Sequence, residues 1–349
     1  MNALIFVTKG YSIGYTLKEG FEKAGWEAEI LDFTSFFSAI ENNLFLKLSA
    51  LPRLFQRHWY TAFIRRINES YLSYIKQRKP ELIVIFNHQF FSPDTLSKIK
   101  EITKIVFYLG DSPLLSQTYD LNLKILEYGD YIISPDSYWV EQLKIIGIKN
   151  IYFELIGFNE NIYYPFTPSP EDLEKFKSEV SYIGVNYNNS SGYKKTLFLS
   201  KFASFDLKIY ATGIKTWQKW AVYFPELKNK LIPHDNHDQK FNNLIQNCSK
   251  IYPVDANHVV INGIHVRILD CIGSGILPVV EYRKDVTTIF GNAGLPIINN
   301  YNEAADVVSY YLKNETMRLE LVRSLREFVL KNYPMEALIR KVQQKMSIS

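Results

Sequence analysis

Short apolar runs alternate with stretches of helical period along most of this chain, a pattern that predicts βαβ units around largely parallel sheets. In the first half, 3–8, 27–31, 82–86, 104–109, 131–134 and 151–155 read as strands. Between them Leu17, Phe21 and Ala24 recur at i, i+4 and i+7, and a long helical pattern covers 53–77. Ser92-Pro93 marks a helix start with proline in its first turn, and Gly147 marks a helix stop after Val140, Leu143 and Ile146. From 157 to 177 the pattern lapses into Asn, Pro, Thr and Ser with mixed charge, and a second alternation then opens at Val180. Its strands fall near 180–183, 207–211, 231–232, 250–254, 276–281 and 295–298, with helices around 193–203, 239–246, 264–272 and 303–312.

The strands stop after Asn314. Two helical segments follow, 317–330 and 335–346, separated by Tyr333-Pro334, where proline breaks the run. Leu319, Val322, Leu325, Val329 and Leu330 form an apolar stripe that needs cover. The expected architecture is α/β: two doubly wound, Rossmann-like domains facing a cleft at the carboxyl ends of their strands, where such sheets bind ligands. The expected boundaries are 1–160 for the first domain, 161–178 for a linker, 179–314 for the second domain, and 315–349 for helices packing back on the first.

Composition narrows the function classes. The 349 residues suffice for two domains of ordinary size, and 47% hydrophobic against 22% charged is the balance of a folded chain. A formal charge of +4, with Lys and Arg spread along the chain, does not indicate a nucleic-acid partner. Cys248 and Cys271 show no metal spacing and read as reduced, buried thiols. The apolar start, 1–8, lacks a basic leader and reads as a strand, and no apolar run approaches the ~20 residues of a membrane helix. A cytoplasmic protein is expected, with peripheral contact to the inner face of a membrane left open.

The candidate chemistry concentrates in 260–281, which reads as loop, helix and buried strand. Gly263 lets backbone approach a ligand, and the free N–H groups of the helix point outward. His265 and Arg267 add positive charge where the helix dipole is already positive, while Asp270 shares the face of Arg267. That build suits a nucleoside diphosphate, the cations for its phosphates and the carboxylate for its ribose hydroxyls. An ordinary capped crossover helix explains Gly263 and the apolar 276–280, but not the clustering of His265, Arg267 and Asp270.

Other positions gain meaning from where they fall. Lys9-Gly10-Tyr11 and Gly14 follow the first strand and suit a tight loop in place of a dinucleotide fingerprint, because no G-x-G-x-x-G occurs there. His88 and Asp111 lie at strand carboxyl ends, each a candidate general base, with Asp111 ahead of His88. Trp217 and Trp220 share a helix face and read as core or interface anchors before ligand platforms. Ile232-Pro-His234 and the residues to His237 read either as backbone beside a nucleobase or as a proline-directed turn with a helix cap.

Several pieces, in order, resemble the CgeB-like (spore-maturation) glycosyltransferases, relatives of the group-1 glycosyltransferases with the GT-B fold. They are Phe107-Tyr-Leu-Gly-Asp-Ser-Pro113, Gly129-Asp-Tyr-Ile-Ile-Ser-Pro-Asp136, Glu179-Val-Ser-Tyr-Ile-Gly184 with Lys194-Lys195, and Gly263-Ile-His-Val-Arg-Ile-Leu-Asp270. The resemblance spans most of 105–300 and implies a GT-B fold and a nucleotide-sugar donor. It implies a donor site of Gly184, Lys194, Lys195, Ile232, His234, Gly263, His265, Val266, Arg267 and Asp270, with a glycan, lipid-linked or protein acceptor. Many group-1 relatives carry two glutamates eight positions apart around this helix, where this chain has Asn262 and Asp270. Asn262 cannot act as an acid, which leaves the stereochemical outcome open. No Asp-x-Asp pair occurs, so a metal-free route through fixed cations is expected, with no cofactor. A nucleotide-sugar epimerase and a non-catalytic scaffold of a glycosylation assembly stand as alternatives.

Overall fold

The computed structural model describes residues 1–49, 53–115, 121–235, 238–256 and 259–348. They form two compact units, Met1–Ile156 with Met335–Ser349, and Gly157–Pro334.

The first unit is built on six strands: β1 (Asn2–Phe6), β2 (Glu27–Leu31), β3 (Leu82–Phe86), β4 (Lys104–Tyr108), β5 (Tyr131–Ser134) and β6 (Ile151–Phe153). They are ordered β2-β1-β3-β4-β5-β6 and all run parallel, with Ile5 paired to both Ile30 and Val84. Helices cover parallel sheets on both faces, so a central strand is apolar throughout, and all five residues of β3 are buried. The crossover helices begin where the sequence provides caps. Ser92 accepts from the Thr95 amide ahead of Pro93, and Asp136 accepts from those of Tyr138 and Trp139. Gly147, at φ +97°, ends the turn after Ser137–Ile145 in the left-handed region that glycine tolerates. The helix Ala39–Ser49 is absent from the sequence-based expectation, because its Ile40 and Leu44 face solvent and make no helical stripe.

The second unit carries β7 (Ser178–Val185), β8 (Leu207–Thr212), β9 (Leu231–Pro233), β10 (Ser249–Val254), β11 (Leu277–Glu281) and β12 (Ile297–Ile298). Their order is β12-β11-β10-β7-β8-β9, again all parallel. The stretch expected as a linker contains the helix Pro170–Phe176, capped by Ser169. Just before that helix, Phe158 and Tyr163 are buried against Gly273, where an added Cβ would stand 2.6 Å from the Phe158 ring.

The two C-terminal helices part company. Glu315–Asn332 stays in the second unit, burying Val322, Leu325 and Val329, while Arg318 donates to the Lys250 carbonyl at 3.4 Å. Met335–Lys345, beyond Tyr333-Pro334, belongs to the first unit. There Met335, Leu338, Ile339 and Val342 enter one core with Leu17 and Phe21 of the helix Ser12–Lys23. A Cβ on Gly20 would lie 3.1 Å from the Met335 carbonyl oxygen, so the two helices approach backbone to backbone. Lys341 also pairs with Glu154 at 2.5 Å. No helix among the described residues is long and apolar enough to cross a membrane.

Candidate functional site

In the second unit the carboxyl ends of β7, β10 and β11 carry a buried charge cluster. Asp255, the residue after β10, accepts from the Tyr182 hydroxyl at 2.7 Å. Lys195 Nζ lies 3.6 Å from one of its oxygens and Arg267 Nη1 lies 3.7 Å from the other. Arg267 Nη1 donates to the same Tyr182 hydroxyl at 3.0 Å, and its guanidinium sits 5.3 Å over the Tyr182 ring. Lys195 donates to the Val185 carbonyl at 2.9 Å and stands 4.6 Å over the Tyr187 ring. A Cβ on Gly184 would come within 3.3 Å of Arg267 Nη2, so a glycine here leaves room for the guanidinium. Beside the cluster, Glu281 at the end of β11 binds Lys194 at 2.5 Å and accepts from the Ala256 amide.

Burial pushes the Asp255 carboxyl up, but Lys195 and Arg267 outweigh it and hold the group at about 2. The cluster therefore sets two cations against one carboxylate, and it keeps a net positive charge close to the entrance of the helix Val266–Ser274. Gly263, with Asp255, His265 and Glu281, lines a concavity there. Val266 opens the helix, half-buried.

Two expected roles change. His265 is the N-cap of the helix: its Nδ1 accepts from the Arg267 amide at 3.1 Å. Burial, and then Arg267, push its imidazole down to about 3, so it is neutral near pH 7 and supplies no cation. The Arg267 amide is likewise taken, whereas the sequence suggested free N–H groups. Asp270 is buried. Burial raises it to about 7 against the pull of Arg267 and Tyr163.

Ile232 and His234 belong to a different neighbourhood. Ile232 lies in β9, and the buried His234 ring stacks on Phe241 at 4.7 Å and meets Tyr210 edge-on. Asn236 and His237 lie outside the described residues. Trp217 and Trp220 serve as anchors, donating to the carbonyls of Gly184 and Tyr187 at 3.1 and 2.6 Å.

In the first unit the ends of β1, β3 and β4 bring together a second group. Asn87 Oδ1 accepts from the amides of Gly110 (2.7 Å) and Asp111 (3.1 Å), while its Nδ2 donates to the Asp111 carboxylate at 3.0 Å. His88 accepts from the Phe90 amide through Nδ1, and burial pushes its imidazole down to about 4. Asp32 receives the amides of Lys9 and Thr34, pinning the loop in which Gly10 sits at φ +90°. Tyr11 caps the following helix by position alone, makes no side-chain cap bond, and stays 54% exposed. Gly14 is a packing glycine, since a Cβ there would meet Val7 Cγ1 at 2.6 Å.

Sequence reasoning missed Asp255, Tyr182, Glu281 and Asn87. Position was the one available signal: Asp255 follows β10 as Asp111 stands just beyond β4.

Residues 195–344, which include Lys195, Asp255 and Arg267, match the family model described as glycosyl transferase-like. No curated protein sequence matches the chain significantly. Sucrose-phosphate synthase from Thermosynechococcus elongatus aligns with a TM-score of 0.69 at 11% identity, covering 100% of both chains. Anabaena HepE, solved with UDP and glucose, aligns at 0.63 and 9% identity over 99% of each chain. A UDP-N-acetylglucosamine 2-epimerase from Listeria monocytogenes aligns at 0.62 and 11% identity, over 100% of this chain and 97% of its own. At such identities the likeness shows the fold. The family match is confined to 195–344, and the two parallel six-stranded sheets have the GT-B architecture of these structures.

Proposed function

We propose that this protein transfers a sugar from a nucleoside-diphosphate sugar to a hydroxyl acceptor without a metal ion. The carrying observation is the Lys195–Asp255–Arg267 cluster at the strand ends of the second sheet, a preorganised positive site under the entrance of a helix. Departure of the nucleoside diphosphate places negative charge on phosphate oxygens, and fixed cations stabilise that charge without reorganising. Lys195 and Arg267 take this role, and their Asp255 partner keeps both side chains aimed while the site is empty of anion. The first unit holds the acceptor, with Asp111 accepting its proton as general base. On the motif pieces at 107–113, 129–136, 179–184 and 263–270 we place the chain among the CgeB-like glycosyltransferases, with a glycan, lipid-linked or protein acceptor.

HepE was solved with UDP and glucose, so UDP-glucose is the first donor to test. Calorimetry and donor-hydrolysis assays with uridine, guanosine, cytidine and thymidine diphosphate sugars should reveal one preferred donor, slowly hydrolysed to free sugar. Absence of binding across the panel would remove the proposal. Conversion of donor alone to an isomeric nucleotide sugar would assign the epimerase chemistry instead.

A further inference from the structure

The hydroxyl of Tyr182 makes two bonds in the charge cluster that a phenylalanine could not. It accepts from Arg267 Nη1 at 3.0 Å and donates to an Asp255 oxygen at 2.7 Å. Burial, and then Asp255, raise the phenol well above its ordinary range, so the group keeps its one proton at neutral pH. Asp255 is ionised and arginine only donates, so that proton points at the carboxylate and a lone pair faces the guanidinium. The directions of both bonds are thereby fixed. The ring that carries the hydroxyl is locked as well. Tyr182 is fully buried in β7, stacked on Tyr252 with centroids 5.8 Å apart, and it meets Trp217 edge-on at 5.9 Å. The ladder between β7 and β10 ends at the Val180–Ile251 pair, and further along β7 the Ile183 amide and carbonyl both bond the Tyr252 hydroxyl, at 2.9 and 3.1 Å. Trp217 Nε1 donates to the Gly184 carbonyl at 3.1 Å. The two side chains that pack the ring of Tyr182 therefore also clamp the backbone just after it.

This rigid hydroxyl holds one end of Arg267. The contacts to Tyr182 and Asp255 both use Nη1, and the arginine side chain stays 25% exposed. The Nη2–Nε edge is left to meet an anion, and Gly184 gives Nη2 room, since a Cβ there would stand only 3.3 Å from it. A guanidinium grips phosphate through two parallel N–H groups on one edge, so its strength depends on how its plane is turned. Asp255, 3.7 Å from Nη1, attracts the charge but is too far to orient the plane, whereas the 3.0 Å bond to Tyr182 does.

We propose that Tyr182 is the positioning residue of the diphosphate site, its hydroxyl turning the guanidinium of Arg267 so that the Nη2–Nε edge faces the phosphates. The assignment rests on the nucleotide-sugar reading of the cluster. It divides the work between the two cations: Lys195 acts as a point charge, and Arg267 as an oriented fork whose direction Tyr182 sets.

The test is calorimetry on the full chain with inorganic pyrophosphate and with UDP, GDP, CDP and TDP, alongside saturation-transfer NMR with the matching nucleosides. Tyr182→Phe keeps the packed ring and removes only the hydroxyl, and circular dichroism checks its folding. It should weaken pyrophosphate and the preferred nucleoside diphosphate at least about five-fold and leave the nucleoside unmoved, whereas a general loss of structure would weaken all three. In an Arg267→Ala background the same substitution should change pyrophosphate affinity by less than about two-fold, and in a Lys195→Met background its full effect should persist. Arg267→Lys, which keeps the charge and loses the edge, should by itself weaken pyrophosphate at least about five-fold. Full pyrophosphate affinity in Tyr182→Phe or in Arg267→Lys, or an undiminished effect of Tyr182→Phe without Arg267, overturns the assignment. If diphosphates bind the parent and these variants alike, the positioning role alone falls. If pyrophosphate binds and responds to Tyr182→Phe while no nucleoside diphosphate binds, the positioning role stands and the transferase reading falls. Absence of binding by pyrophosphate and all four diphosphates removes both.

Discussion

Arg267 reaches Asp255 by two routes, directly, with Nη1 3.7 Å from the carboxylate, and through the Tyr182 hydroxyl, which accepts from Arg267 and donates to Asp255. Lys195 meets the other carboxylate oxygen with its side chain only 6% exposed. Removing one member of such a buried set leaves the remaining charge without its partner, which costs roughly 3–5 kcal/mol.

Asp255→Asn is therefore expected to lower unfolding stability by about 3 kcal/mol, measured by urea denaturation at pH 7. Adding Lys195→Met should recover part of the loss, because the uncompensated charge is gone. Additive losses in the double mutant would show that Lys195 and Asp255 are not coupled.

For Arg267→Ala, nucleoside diphosphate binding should weaken by about 1.5–3 kcal/mol, the scale of a charge-assisted hydrogen bond to phosphate. His265 behaves differently, since its imidazole is held down to about 3 and caps the helix. The nucleotide dissociation constant should show no histidine step between pH 6 and 8, and His265→Ala should cost about 1 kcal/mol of stability as a lost cap. A step near pH 6.5 that vanishes in His265→Ala would restore the histidine as a phosphate cation.

These cases show what the sequence carried and what it did not. β3 was legible because a strand buried on both faces is written as an unbroken apolar run, Leu82–Phe86. The helix Val266–Ser274 was legible in outline, but its start was placed two residues early because the buried Ile264 extends the apolar period into the loop. Asp255 was not legible, for its meaning comes from Tyr182, Lys195 and Arg267, which fold brings to it from 12 to 73 residues away. The cap role of His265 was not legible either, since residue type announces a titratable group while burial and neighbouring charges, Arg267 first, set its protonation.

Asp270 predicts an inverted pH dependence. Its carboxyl is raised to about 7 in the folded chain, chiefly by burial, above its ordinary value in the unfolded one. Between roughly pH 4 and 7 the unfolded state therefore releases this proton while the folded state keeps it, and stability falls as pH rises through that window. The loss should be on the order of a few kcal/mol and complete above pH 7. Urea unfolding from pH 5 to 8 should give a smaller loss in Asp270→Asn, an isostere of the protonated form, than in the parent. Equal slopes in both proteins would place the titration elsewhere.

Asp111→Asn should lower kcat about 10²-fold or more with an unchanged nucleotide dissociation constant, as expected for a lost general base. His88→Gln should leave kcat within a few-fold, because burial already holds that imidazole down to about 4 and its Nδ1 is engaged with the Phe90 amide. If His88→Gln abolishes turnover and Asp111→Asn does not, the two assignments exchange.

The last helix supplies the final prediction, since it completes a core in which Leu338 and Val342 join Leu17 and Phe21 from more than 300 residues earlier in the chain. Leu338 is 4% exposed, so Leu338→Ala removes buried methyl groups and leaves a cavity, costing about 2–5 kcal/mol. Gly20→Ala attacks the same contact from the other side. A methyl there meets backbone at 3.1 Å, which cannot rotate away as a side chain would, and overpacking of this kind costs about 1–3 kcal/mol. Both variants should raise amide exchange across Ser12–Lys23 and Met335–Lys345, and leave exchange in Val266–Ser274 unchanged, because that helix belongs to the other unit. Protection lost equally in all three helices would mean that the two units unfold as one.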